Sequence, residues 1–321
     1  MIANLTNSKL LEKYSIENLS QTDLKPGEFS IKKEITKTDK YTSYLFEFEF
    51  DPDLDGKIDK TTTGQINIPV NTVLVEVRPL PIILMFRGYV NQETYVTGDG
   101  TRNAAKYFAE NGFITVAPDF LGYGGSDEEA GKIFESRFQT YVTAVSLLKT
   151  LEQLNINPEL VSGPTQLTQS LNHSVTLFLW GHSNGGQIAL TTLEITGVNY
   201  PTTLWAPVSK MFPYSVLYYT DQSDDHGKLI RRELSEFEKG HDVDKYSLDL
   251  YLDKINAPIQ IHQGMKDDAI PLGWTNELVI RLKELQKEVT YFTYPQADHN
   301  MQPNWDEVIQ KDLDFYLSHI Y

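Results

Sequence analysis

The spacing of apolar residues changes several times along the chain, and each change marks an element. Between residues 41 and 50, Tyr44, Phe46, Phe48 and Phe50 alternate with Leu45, Glu47 and Glu49. A period of two predicts a strand with one face inward. Residues 31–38 and 64–69 read as its neighbours, so the N-terminal part is expected to form an antiparallel β-meander. Continuous apolar runs follow at 81–86, 113–117, 175–180, 202–207, 257–262 and 289–294. Runs of that length without alternation are typical of strands buried on both faces. Helical spacing fills the intervals. It is carried by Ala104, Ala105, Phe108 and Ala109 within 101–111, and by Phe134, Phe138, Tyr141, Val145, Leu148 and Leu151. Residues 187–195, a segment with Leu278, Ile280, Leu282 and Leu285, and residues 304–319 complete the helices. The alternation predicts an α/β fold, with a mostly parallel central sheet covered by helices on both faces.

Four stretches depart from this rhythm. Residues 1–28 are polar, end in Lys25-Pro26-Gly27, and read as a loose lead-in to a single domain over 29–321. Residues 155–172 read as a long polar loop with no functional account. Residues 208–254 carry Met211, Phe212, Tyr214, Tyr218 and Tyr219, then a charged run from 228 to 245. They are expected to form an inserted cap, whose aromatics either line a pocket or simply pack. Asp51, Asp53, Asp55, Gly56 and Asp59 match the first half of a calcium loop. The closing glutamate is replaced by Thr62 and the flanks are strands, so an ordinary acidic turn around Asp55-Gly56 is the alternative.

Composition narrows the chemistry. The 321 residues are 40% hydrophobic and 22% charged, as in a soluble globular protein. A formal net charge of −16 disfavours nucleic acid and anionic membranes as partners. The absence of cysteine excludes disulfides, thiolate metal sites and a cysteine nucleophile. No apolar run is long enough to span a membrane. The first residues lack the basic and apolar regions of a signal peptide, which leaves compartment open, as oligomeric state is.

The chemistry centres on Gly181-His182-Ser183-Asn184-Gly185-Gly186, between a buried strand and a helix. G-x-S-x-G in that context is a nucleophile elbow, a sharp turn that lifts a serine hydroxyl above the sheet. A serine needs a base, and in this architecture an acid and then a histidine follow on later strand-end loops. Asp267 and His299 occupy those places, with Asp268 an alternative acid. Asp267 would orient His299, and His299 would take the Ser183 proton and return it to the leaving group. His262 reads as a core histidine, His182 as pointing away from the nucleophile, and Asp298 as fixing its loop. The oxyanion donors are expected to be the backbone N–H groups of Asn184 and Tyr89. No cofactor is required, and no resident metal is assigned.

With these residues in view, the chain resembles the α/β-hydrolase superfamily. More narrowly, it is similar to the hydrolase domain of the prolyl-oligopeptidase and acylaminoacyl-peptidase family and to related single-domain esterases. The matching pieces are residues 64–69, Phe86-Arg87-Gly88-Tyr89, Ala117-Pro118-Asp119 with residues 122–127, residues 181–186, residues 264–271 and Asp298-His299. Arg87 stands where the family usually has histidine, and is expected to place a charge near the pocket mouth. The N-terminal region is too short for the propeller of the oligopeptidases. The resemblance thus implies a serine hydrolase cleaving carboxylic esters through an acyl-enzyme. A serine exopeptidase acting on short peptides is the nearest alternative, and an inactive binding protein on the same fold is the alternative outside enzymes.

Overall fold

The computed structural model describes residues 10–70, 79–154, 156, 165–166, 175–220 and 223–320. After a single helical turn at Glu12–Tyr14 comes helix α1, Ile16–Gln21. Three antiparallel strands follow: β1 (Glu28–Lys37), β2 (Tyr41–Phe50) and β3 (Lys60–Pro69). Next are β4 (Ile82–Phe86), helix α2 (Arg102–Glu110), β5 (Ile114–Pro118), helix α3 (Ile133–Leu151), the two-residue β6 (Thr165–Gln166), β7 (Leu177–His182) and helix α4 (Asn184–Thr196). The C-terminal part holds β8 (Thr202–Trp205), α5 (Tyr214–Leu217), α6 (Lys228–Glu238), β9 (Ile259–Gly264), α7 (Leu272–Glu284), β10 (Val289–Tyr294) and α8 (Trp305–Ser318).

All ten strands form one sheet, in the order β10-β9-β8-β7-β4-β5-β3-β2-β1-β6. The six strands from β10 to β5 run parallel, and the meander joins antiparallel through β3 and β5. This is the α/β-hydrolase arrangement expected from the sequence. The run of strands β4, β7 and β5 is buried at every position, as continuous apolar runs require, except for His182 at the end of β7.

The order of strands fixes where a site belongs. From β4 the chain crosses through α2 to β5 on one side, and from β7 it crosses through α4 to β8 on the other. Right-handed crossovers in opposite directions put their helices on opposite faces and leave a crevice between the carboxyl ends of β4 and β7. The segment after β4 is Arg87-Gly88-Tyr89, and the segment after β7 begins at Ser183.

One expectation changes, and two that were left open take the plainer alternative. Residues 11–24 are packed, not loose: Leu11, Tyr14, Ile16, Leu19 and Leu24 are buried. Ser15 caps α1 by accepting a bond from the Asn18 N–H. Tyr14 donates its hydroxyl to the Pro52 carbonyl, 3.0 Å, and Tyr246 donates to the Leu11 carbonyl, 2.9 Å. The four apolar residues from Leu11 to Leu19 are spread among polar ones, and only their tertiary partners make them a face. Second, the acidic turn does not gather its carboxylates. Asp51 accepts from the N–H groups of Asp55 and Gly56, Asp53 accepts from Tyr14 and Gln139, and Asp55 pairs with Lys57. Third, the 208–254 excursion packs. Phe212 meets Phe134 with ring centroids at 5.3 Å, and Tyr246 stacks on Phe138 at 4.6 Å. Tyr218 sits edge-on to Trp274 at 4.7 Å. The 155–172 loop lies outside the described residues apart from Ile156, which is buried, and β6, which pairs with β1.

Candidate active site

The elbow is a conformation that only a crowded, glycine-flanked turn imposes. Ser183 has φ 57° and ψ −120°, outside the regions open to ordinary side chains, at a cost on the order of 1–3 kcal/mol. Its N–H donates to the Trp205 carbonyl, 2.9 Å, and its carbonyl accepts from Gly186 and Val208, each at 3.0 Å. A Cβ on Gly185 would fall 1.9 Å from the Phe86 carbonyl oxygen, and one on Gly181 would fall 2.5 Å from the Gly185 oxygen. Helix α4 therefore starts against the end of β4, and a side chain at either position would push it off. From the other side Gly88 reaches the serine: a Cβ there would lie 3.0 Å from Ser183 Cβ.

The structure brings Asp267 and His299 together. His299 Nδ1 and Asp267 Oδ2 are 2.9 Å apart, with the carboxylate side chain 1% exposed. Asp267 Oδ1 accepts from the N–H groups of Ala269 and Ile270, and Oδ2 also accepts from Gln263 Nε2. Burial alone would raise the Asp267 pKa. The bond from His299, the Ile270 N–H and the other donors outweigh it and hold the group below its usual range. The carboxylate bonded to His299 belongs to Asp267, whereas Asp268 is exposed. Asp298 accepts from the N–H groups of Asn300 and Gln302, each at 2.9 Å, and so shapes the His299 loop. Among the described residues, Ser183 Oγ makes no hydrogen bond to the His299 ring. Such contacts commonly tighten only when substrate arrives.

Asn184 opens α4, so the helix itself does not use its N–H. Tyr89 follows Gly88 and is 79% exposed. Both line a cleft of about 830 Å³, together with Arg87, Phe120, Arg137 and Ile188. No described residue of 208–254 lines it.

Residues 166–320 match the model of the prolyl oligopeptidase family. The structure is similar to acetyl xylan esterase 1 from Thermoanaerobacterium sp. JW/SL YS485 (TM-score 0.60, 15% identity, 96% of this chain and 94% of that one). It is also similar to an acetyl xylan esterase from Paenibacillus sp. R4 (0.62, 15%, 93% and 91%). A third similar structure is the Pyrococcus horikoshii acylaminoacyl peptidase (0.55, 14%, 89% and 49%). The fold is that of the α/β-hydrolases. No curated protein sequence matches it.

Two residues near the elbow behave differently from expectation. Arg87 does not present its charge at the pocket mouth. It is 7% exposed, donates to the carbonyls of Gly88 (3.0 Å) and Asp119 (2.9 Å), and lies 3.9 Å over the Tyr123 ring and 4.7 Å over the Tyr95 ring. It braces the loop that carries Gly88 and Tyr89. His182 is not turned away from the site. Its Nε2 is 3.0 Å from the His299 carbonyl oxygen, and the two rings stand 4.7 Å apart. Burial, then the neighbouring His299, lowers the His182 pKa to about 4. At neutral pH it is uncharged, so its single N–H is placed on Nε2 to meet that carbonyl. Sequence offers no signal for either role beyond adjacency to the elbow and to the oxyanion loop. His262 is a core histidine as expected, fully buried and bonded to Asp312 (2.9 Å) and Tyr294 (2.8 Å). Among the described residues no group of three His, Asp or Glu is placed to hold a metal ion, and no helix is long and apolar enough to cross a membrane.

Proposed function

We propose that the protein is a serine hydrolase, a carboxylesterase. Ser183 is its nucleophile, His299 its general base and then acid, and Asp267 the carboxylate that orients the imidazole. The N–H groups of Asn184 and Tyr89 receive the oxyanion. The observation that carries this reading is the His299–Asp267 contact beneath a serine held at positive φ. An ester enters with its carbonyl oxygen toward Asn184 and Tyr89. Ser183 attacks as His299 takes its proton, and the tetrahedral intermediate collapses when His299 returns that proton to the departing alcohol. Water then repeats the cycle on the acyl-enzyme and regenerates Ser183.

The family match over 166–320 favours a second reading, a peptidase acting on short peptides. A panel of p-nitrophenyl esters and aminoacyl anilides separates the two. Ester turnover that falls by several powers of ten in Ser183→Ala is expected. Turnover of anilides alone would favour the peptidase, and undiminished turnover in Ser183→Ala would remove the nucleophile assignment.

A further inference from the structure

The cleft beside the elbow differs in charge from the rest of this acidic molecule. Among the described arginines, Arg102, Arg232 and Arg281 pair with carboxylates. Arg231 bonds only to the His226 carbonyl and the Thr220 hydroxyl. The other two without a carboxylate partner, Arg87 and Arg137, both line the cleft. Arg87 spends its guanidinium on two carbonyls and a ring stack, as described. Arg137, on α3, is half-buried and makes one hydrogen bond, from Nη2 to Gln187 Oε1 at 2.8 Å. A guanidinium carries five N–H donors in a planar fork that fits a carboxylate. Most of that fork is unused.

Its position relates it to the chemistry. Gln187, its partner, lies about one turn along α4 from Ser183, so Arg137 is tied to the first turns of the elbow helix. The same cleft includes Asn184 and Tyr89, the residues assigned to the oxyanion, and lies next to Ser183 in sequence through Asn184. That places it beside the carbonyl end of a bound ester, where the acyl part would lie. Two carboxylates also border it, those of Glu128 and Glu129. Both are exposed at the rim, where water and salt screen them, and Glu129 accepts a bond from Ser136.

We propose that this cleft selects substrates whose acyl part ends in a carboxylate, a half-ester of a short dicarboxylic acid, with Arg137 holding that carboxylate. The proposal rests on the reading of Ser183 as nucleophile and adds the substrate class.

The test compares monomethyl glutarate with methyl pentanoate by proton release near neutral pH. Wild-type kcat/KM is expected to favour the half-ester by about tenfold or more, the size of one charge-assisted contact. In Arg137→Gln that preference is expected to collapse, mainly through KM for the half-ester, and in Arg137→Lys it is expected to survive in part. Labelling of each variant by a neutral fluorophosphonate verifies that the site is folded. If Arg137→Gln does not fold, the wild-type ratio and Arg137→Lys decide. Equal or better turnover of methyl pentanoate by the wild type, or an equal loss on both esters in Arg137→Gln, would overturn the proposal. Labelling of Ser183 with neither ester turned over would overturn it too, leaving the nucleophile reading standing. Absence of labelling would remove both.

Discussion

His182 shows how a single residue joins two parts of the site. It neighbours Ser183 in sequence, and its side chain supports the backbone that carries His299. Replacement by leucine removes that donor while keeping bulk. It is expected to lower kcat about tenfold with little change in KM and to move the acid limb of the rate profile, because the imidazole is less well held. Glutamine, which keeps a donor, should restore most of the rate. A leucine variant with an unaltered pH profile would leave His182 a packing role only. Its protonation also bears on stability. The folded value is about 4 against an ordinary 6.5, so the unfolded chain binds the proton first as pH falls. Stability is fully present above about 6.5 and is lost toward 4. Glu194, on α4, acts in the opposite sense. It is 1% exposed and neither carboxylate oxygen has a partner; burial first, then Asp249 and Asp253, push its pKa well above 4.5. The folded state keeps the proton that the unfolded chain gives up, so stability should decline as pH rises above 4.5. Glu194→Gln is expected to flatten that decline in urea titrations across pH. An unchanged slope would show that the carboxyl finds a partner on ionising.

At the scale of elements, α1 is the test of what the sequence conceals. The strands were legible because burial on both faces demands continuous apolar runs, and α3 was legible because its apolar residues recur at helical spacing. The elbow, Asp267 and His299 were legible because a strand-end loop must supply each of them in a set order. Residues 11–24 were not. A six-residue helix has no periodicity to read, and its apolar residues and those of the turn before it gain meaning only from α3, α4 and the Val243–Tyr246 turn. Arg87 was misread for a related reason: its burial depends on Tyr95, farther along its own loop, and on Asp119 and Tyr123 from the loop after β5. Leu19→Ala is expected to cost about 2–5 kcal/mol in a urea titration, the range for a leucine fully buried in a core. A loss well under 1 kcal/mol would return this segment to the loose lead-in of the sequence reading. On the elbow itself, Gly185→Ala should abolish activity, because its Cβ would occupy the space of the Phe86 carbonyl. Retained turnover in that variant would contradict the close approach of α4 to β4.

For the whole molecule, the order of strands does most of the work. Crossovers leaving β4 and β7 in opposite directions open one crevice, and the loop after β4, the elbow and the cleft all lie at it. The acid and histidine arrive from strands β9 and β10, farther along the same sheet. The central claim is that Ser183 is an activated nucleophile. The most direct measurement is reaction of the intact protein with a fluorophosphonate, followed by mapping of the modified residue and repetition with Asp267→Asn and His299→Ala. The account predicts a single adduct at Ser183, formed far more slowly in both variants. An adduct elsewhere, or labelling of Ser183 that proceeds equally well without His299, would contradict it.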